Sequence, residues 1–529
     1  FQEFKASQGI PTQVVFTSEI YDWMGYGNPD VSAIRNYIAQ EYHQGKQLRN
    51  VLFLGKGTFD YKKKLGGRPN LVPIYTSRSS LDPLTTYSSD DYFGILDWGS
   101  GEWEESKSGD ALLRIGVGRV PAITFAEAKS WLEKSRNYEK QGDAFPSSTI
   151  TFLADDGDNG VHMRDSEVHA AYLEKNLPFY RSQKLYLDRF EQTKTGGRQE
   201  SPAAKKAILE SLNSGTLLLN YVGHGNETTL TAEEIFKVQD LENWPNQAQL
   251  PLWFTATCEF GRHDSPFVRS AAEELLFATS KGAIGLLATG RPVFSSVNFT
   301  INEAFIQALA AAGKSGAVDL GSLYRQTKNK SLNGSYNRNF SLMGDPSLRL
   351  ALPEASIRIE KLVALTNQTA VDTLSNMTPM KLTAAVIDPL TQAFLSSIQG
   401  SFRLEIWGQA SSSKTLGDEN SSFEFSEESQ RLFSGEGAVR NGILESNFIL
   451  PEGLESSPEK IQLRIQVWDQ EKKVQAAGAV SLPFKNQKKG DLDQNGPQIT
   501  AEINGKGIAN IPPISSNQVK VLLTFQDPS

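Results

Sequence analysis

Up to about residue 352 the sequence alternates short apolar runs with amphipathic stretches, and after Pro353 the alternation stops. That switch constrains the fold more than any other feature. Short β-branched or apolar runs predict strands, and apolar residues at helical spacing predict helices. Strands separated by helices cannot pair as simple hairpins, so they pair in parallel with helices over both faces.

The first unit opens with a β-branched run at 12–16. A helix over 31–44 follows, capped by Asp30, with Ile34, Tyr37, Ile38 and Tyr42 on one face. A buried strand at 50–54 ends at Gly55, and a Gly/Pro/Ser-rich loop leads to Asp90-Asp91-Tyr92-Phe93-Gly94. A strand at 112–117 precedes Thr124 and Glu127, a capping box for a helix running to about Lys140. The second unit reads as strands at 149–154, 183–187, 216–222, 250–257 and 283–289, separated by helices at 164–176, 202–213 and 268–279. Closing helices at 298–312 and 316–328 precede a strand at 347–352. Beyond Pro353 come strand-like runs at 357–365, 380–387, 401–407, 444–450, 461–468 and 477–482 with no helix, the pattern of an Ig-like β-sandwich. The expected domains are 1–145 and 146–352 (two α/β subdomains with largely parallel sheets), 353–484 (the sandwich), and 485–529 (a linker and the start of a further, truncated β module).

The 529 residues fit about three to four domains. A formal charge of −8 with no basic block argues against a nucleic-acid partner, which needs clustered Lys and Arg. Nothing approaches the roughly 20 apolar residues of a membrane span; the longest candidate, 281–290, is strand-like. No N-terminal signal segment is visible. The chain opens mid-pattern on Phe-Gln-Glu-Phe-Lys and stops at Phe525-Gln526-Asp527-Pro528-Ser529, which reads as a piece of something larger. The single cysteine, Cys258, cannot form an internal disulfide. All five histidines (His43, His162, His169, His224, His263) precede residue 264, so thiol and acid–base chemistry belong to the first half of the chain.

Two consecutive predicted strands end in unusual residues. Leu217-Leu218-Leu219-Asn220-Tyr221-Val222 runs into Gly223-His224-Gly225, and Leu252-Trp253-Phe254-Thr255-Ala256-Thr257 runs into Cys258-Glu259-Phe260-Gly261. In an open α/β sheet the ligand crevice lies beyond the carboxyl ends of the strands. Neighbouring strands about 4.8 Å apart would bring imidazole and thiol to one crevice, where imidazole can generate the nucleophilic thiolate. Backbone N–H groups of Gly225 and Cys258 are the candidate oxyanion hole. A lone Cys is otherwise a small buried hydrophobe. One Cys and one useful His fall short of a zinc site. His263, in the polar loop Gly261-Arg262-His263-Asp264, is the second choice of base.

These stretches resemble the gingipain-like cysteine peptidase family, of caspase–gingipain fold. The resemblance covers residues 1–352 and rests on Asn220-Tyr221-Val222-Gly223-His224-Gly225, Thr255-Ala256-Thr257-Cys258-Glu259-Phe260 and the closing Phe340-Ser341-Leu342-Met343-Gly344-Asp345-Pro346-Ser347-Leu348. Within the family, Ala154-Asp155-Asp156-Gly157-Asp158-Asn159, Cys258-Glu259-Phe260-Gly261-Arg262 and Thr289-Gly290-Arg291-Pro292-Val293-Phe294-Ser295-Ser296 resemble the sortase of the type IX secretion system. The resemblance implies His224 as base, Cys258 as nucleophile and a carboxylate that orients the imidazole. That carboxylate is Asp156, where gingipains carry Glu, with Asp155 as fallback; a solvated turn or calcium loop is the alternative for this acidic cluster. Asp165 and Glu167 are the substrate-selecting candidates, neither aligning cleanly. No cofactor is required, and a structural calcium is compatible.

The implied function is a cell-surface, outer-membrane-associated cysteine transpeptidase. It would remove the C-terminal sorting domain of secreted cargo through a thioester and pass the cargo to a lipopolysaccharide amine, beside other type IX components including an outer-membrane β-barrel shuttle protein. A hydrolytic endopeptidase and a catalytically silent scaffold are the alternatives. Three motifs stand apart. Asp491, Asp493 and Asn495, with Glu502 at the twelfth place, satisfy a calcium-loop spacing but lack flanking helices, which favours an inter-domain turn. Gly55-Lys56-Gly57-Thr58 lacks the spacing of a phosphate loop, and Lys56 stands where relatives often have Asp. Trp98 and Trp103 read as a surface hairpin.

Overall fold

The computed structural model describes residues 1–486 except 46, 79–81, 83, 98–110, 141–146, 196–197, 246, 248, 317, 335, 419–420 and 455–459, together with 498–503, 506–507 and 521–526. The expected hairpin at Trp98 and Trp103, and Asp491, Asp493 and Asn495 of the calcium-loop reading, lie outside the described residues; Glu502 sits on a strand at Gln498–Ile503.

One continuous eight-stranded sheet organises the chain up to residue 343. Its principal strands are β1 (Asn50–Leu54), β2 (Gly116–Val120), β3 (Thr149–Ala154), β4 (Arg181–Tyr186), β5 (Leu218–Val222), β6 (Leu252–Ala256), β7 (Gly285–Thr289) and β8 (Phe340–Met343). They lie in the order β1-β2-β8-β7-β6-β5-β3-β4, with every neighbouring pair parallel except β7 with β8. The two expected α/β halves therefore share a sheet, joined in its middle by β8. Strand residues alternate between two cores: Phe152, Leu218, Phe254, Leu287 and Leu342 face one side, and Leu153, Leu219, Trp253, Leu286 and Met343 the other. Helices α3 (Val31–His43), α5 (Val161–Asn176), α8 (Ser295–Ser315) and α9 (Leu320–Lys330) cover the first face. Helices α4 (Phe125–Lys140), α6 (Pro202–Ser214) and α7 (Ala271–Phe277) cover the second. Both expected caps form: Asp30 accepts from the Ser32 amide at 2.8 Å, and Thr124 and Glu127 bond reciprocally at 3.1 and 3.2 Å.

Two expected strands are corrected. Residues 12–16 are extended but unpaired, with Val14 and Phe16 exposed. They connect two helices the sequence reading missed, α1 (Gln2–Ser7) and α2 (Thr17–Met24). Residues 347–352 form no strand. Asp345 accepts from the Ser347 amide and hydroxyl at 2.8 and 2.7 Å, making a turn, and the strand of this region is the fully buried β8.

After Pro353 the described chain is all β, as expected. Strands β9 (Ala355–Ala364), β10 (Met380–Ile387), β11 (Gly400–Trp407), β12 (Arg431–Arg440), β13 (Ile443–Phe448), β14 (Ile461–Asp469) and β15 (Val474–Leu482) enclose a core of Leu382, Phe402, Leu404, Ile406, Leu463 and Ile465. In place of the expected Ig-like sandwich the strands form one closed ladder: β9 pairs with β10 on one side and with β15 on the other, giving a seven-strand barrel. A hairpin of Ser411–Lys414 with Glu424–Glu427 reaches from the barrel to the outer edge of the sheet at β4. There Phe425 packs edge-on against Tyr186 at 5.0 Å, and Glu427 takes both nitrogens of Arg189 at 2.7 and 2.8 Å. No helix among the described residues is long and apolar enough to cross a membrane.

Candidate active site

Strands β5 and β6 pair in parallel with Val222 opposite Ala256. His224 and Cys258 each follow two residues beyond that last pair, at the carboxyl edge of the sheet. The intervening Gly223 has φ +156, and a Cβ there would lie 2.3 Å from the Asp155 Cβ and 2.6 Å from the Tyr221 hydroxyl. Only glycine fits this crossing point. The main chain of His224 is held on both sides: Asp155 Oδ2 accepts its N–H at 2.8 Å, and the Tyr221 hydroxyl donates to its carbonyl at 2.5 Å. Its imidazole stays largely solvent-facing, with the side chain 57% exposed.

The carboxylate at that imidazole is Asp158, whose Oδ2 lies 3.2 Å from Nε2. It is carried there by a tight turn after β3 in which Asp158 and Asn159 both take left-handed backbone angles, φ +54 and +56. The sequence reading named Asp156, with Asp155 as fallback. Asp155 holds the His224 backbone instead. Asp156 is buried, accepts from the Gln192 amide at 2.5 Å and lies in one cluster with Asp155 and Glu233. His162, on the first turn of α5, packs edge-on to His224 with ring centroids 5.2 Å apart. Both Asp158 and His162 were missed; the sequence signal available for them was their spacing, i and i+4 at a helix start.

Cys258 is half-buried, and its thiol donates to the Val293 carbonyl at 3.8 Å, in the loop after β7. Burial, reinforced by the charge of Glu259, pushes the thiol pKa up, so the sulfur is protonated in this arrangement. Glu259 sits at φ +53, a left-handed turn directly after the cysteine. Arg262 ties the two loops together, bonding Glu259 of the cysteine loop at 3.1 Å and Glu227 of the histidine loop at 2.8 Å. Close approach elsewhere is visible at Gly225, where a Cβ would lie 2.7 Å from Thr257 Oγ1. The bonds Thr231 N–H to His224 O and Asn226 N–H to Thr229 O, both 3.0 Å, bracket Gly225 and Leu230. Gly225 is thus a non-hydrogen-bonded pair position, and that ladder does not use its N–H.

The remaining candidates are placed elsewhere. His263 is buried, with Nδ1 against the Gly261 carbonyl at 2.9 Å. Lys56 is also buried, bonded at 2.7 Å to both Glu273 and the His263 carbonyl. Glu167 accepts from Lys184 (2.9 Å) with one oxygen and from Tyr186 (2.7 Å) with the other, which ties it to the β4 edge of the sheet. Asp165 is half-buried beside Arg164 on α5, its carboxyl pushed up by burial. Behind the cysteine loop, Arg291 grips Asp264 at 2.5 and 2.9 Å. Although burial opposes ionisation there, the guanidinium holds the Asp264 carboxyl well below the usual range.

The sequence profile of peptidase family C25 matches residues 1–351, the span of the sheet, its helices and both loops. The chain belongs to peptidase family C25. Gingipain R2 of Porphyromonas gingivalis is 22% identical over 265 residues, 49% of this chain and 30% of that protein. Gingipain R1 of the same organism is 22% identical over 265 residues and 22% of its length is covered. The chain thus spans under a third of these curated relatives. Among solved structures, the Arg-specific cysteine proteinase gingipain R aligns over 92% of this chain and 94% of its own, with TM-score 0.52 and 17% identity. Dimeric latent PorU from Porphyromonas gingivalis aligns over 94% of this chain and 43% of its own, with TM-score 0.40 and 19% identity. The likeness to gingipain R is one of fold, and it extends past the C25 region into the barrel.

Proposed function

We propose that this chain carries the catalytic unit of a cell-surface cysteine transpeptidase acting on secreted cargo. The observation that carries the reading is the β5–β6 register, which sets His224 and Cys258 at equivalent positions beyond adjacent parallel strands. In the proposed reaction the Cys258 thiol turns from the Val293 carbonyl and gives its proton to His224. The thiolate attacks the peptide carbonyl before a C-terminal sorting domain. The oxyanion is met by the N–H groups of Gly225 and Cys258, and the imidazolium protonates the departing amine. An acceptor amine, by family resemblance on lipopolysaccharide, then opens the thioester. Asp158, 3.2 Å from Nε2, orients the imidazole. The type IX sortase assignment rests on the resembling stretches at 154–159, 258–262 and 289–296. Sorting domains, the lipopolysaccharide acceptor, the shuttle barrel and an outer-membrane location belong to the same proposal.

The test is product analysis with a cargo peptide spanning the sorting junction and a competing amine. The expected product is an amide whose yield rises with amine concentration at the expense of free acid. Free acid alone at saturating amine makes the chain a hydrolytic peptidase instead. Cys258→Ala should abolish turnover, and His224→Ala should lower it by about 10²–10⁴. Unchanged turnover in Cys258→Ala rejects thiol catalysis altogether.

A further inference from the structure

Counted along the sequence, a single histidine is available to a metal near the cysteine; the fold supplies a second. His162 is 4% exposed, and its Nδ1 has no hydrogen-bond partner among the described residues. Its Nε2 faces Asp158 Oδ2 at 3.4 Å, the same oxygen that lies 3.2 Å from His224 Nε2. Donor atoms of Asp155, His162 and His224 all lie within 4.8 Å of one another. In a tetrahedral site with bonds of about 2.0–2.1 Å, ligand atoms stand roughly 3.3 Å apart. The two approaches to Asp158 already match that edge, and the exposed imidazole of His224 has room to rotate and close the rest.

The donor set also selects the ion. Two imidazoles and two carboxylates suit zinc and its neighbours, whereas calcium and magnesium take oxygen ligands almost exclusively. Two carboxylates balance a dication.

We propose that Asp155, His162 and His224, with Asp158 on the open side, form a binding site for a zinc-class divalent cation that reversibly withdraws the His224 imidazole from catalysis. Cys258 is not a ligand. The site competes for the imidazole lone pair that would accept the thiol proton, so a bound ion leaves the thiol protonated against Val293. Only the effect on turnover rests on the transpeptidase reading; occupancy is read directly.

The experiment is calorimetric titration of Zn²⁺ into Cys258→Ala protein at neutral pH, then into the same background carrying His162→Gln or, separately, Asp158→Asn. The expected result is one site in Cys258→Ala, with affinity reduced at least about ten-fold by His162→Gln and measurably by Asp158→Asn. Asp158 is half exposed, so its variant folds even if His162→Gln does not; thermal melts of each protein establish this. Co²⁺ bound to the unsubstituted protein should show ligand-field bands without a thiolate-to-cobalt charge-transfer band. Loss of zinc binding in Cys258→Ala, a strong charge-transfer band, or unchanged affinity in both of the other variants overturns the site. Should zinc bind as described while no peptide is turned over in chelator, the transpeptidase reading fails and the metal site stands. Turnover that is insensitive to zinc, with no heat of binding, overturns the metal site and leaves the transpeptidase reading standing.

Discussion

Asp158 does what composition could not assign to it. Residues 155–158 offer three carboxylates in four positions, and only the left-handed turn at Asp158 and Asn159 decides which one meets His224. Asp155 ends up on a backbone amide and Asp156 in the interior. Cys258 and His224 were legible because each ends an apolar run at the edge of a parallel sheet. The carboxylate was not, because a short left-handed turn leaves no trace in hydropathy. Asp158→Asn is expected to lower kcat/KM by about ten-fold or more with an unchanged melting temperature, measured on a cargo peptide. The loss should fall mainly on kcat, since the carboxylate orients the imidazole for the proton transfers of the reaction rather than binding the peptide.

Among elements, most strands of the α/β region lie where the sequence places them; the strand expected at 112–117 forms at Gly116–Val120, β8 is not among the expected strands, and an unpaired segment (12–16) and a side-chain turn (347–352) imitate strands. The least legible element is β12. Its Gly435 and Gly437 suggest a loop, since glycine weakens a strand. In the structure aromatic rings occupy the space of the missing side chains: a Cβ at Gly437 would lie 2.6 Å from the Phe402 ring, and one at Gly435 would lie 2.7 Å from Phe433. Phe402, on the neighbouring β11, is 2% exposed. Replacing it by Ala removes core packing and uncovers Gly437 together, and should destabilise the barrel by about 3–5 kcal/mol in denaturant unfolding. The α/β region should keep its activity if the two parts unfold separately.

At the scale of the whole molecule, three of the five histidines (His162, His169, His263) are buried with pKa values lowered by burial. His169, stacked on Phe299 at 5.1 Å, is pushed down to about 4. An unfolded chain titrates its imidazoles near 6.5, so between about pH 6.5 and 4 it binds protons that the native state refuses. This contribution to stability is fully present above pH 6.5 and is lost as pH falls towards 4. Melting temperature should therefore drop on acidification through that window, and the slope should be shallower in His169→Gln.

The central position of β8 carries a consequence for synthesis. It links β7 to β2, yet of the eight strands in this sheet it is made last, at residues 340–343. A nascent chain short of that point therefore holds two half-sheets with open edges, and Cys258 is translated some eighty residues before the strand that seals them together. Closure of the eight-stranded sheet is gated by the arrival of a single late tetrapeptide.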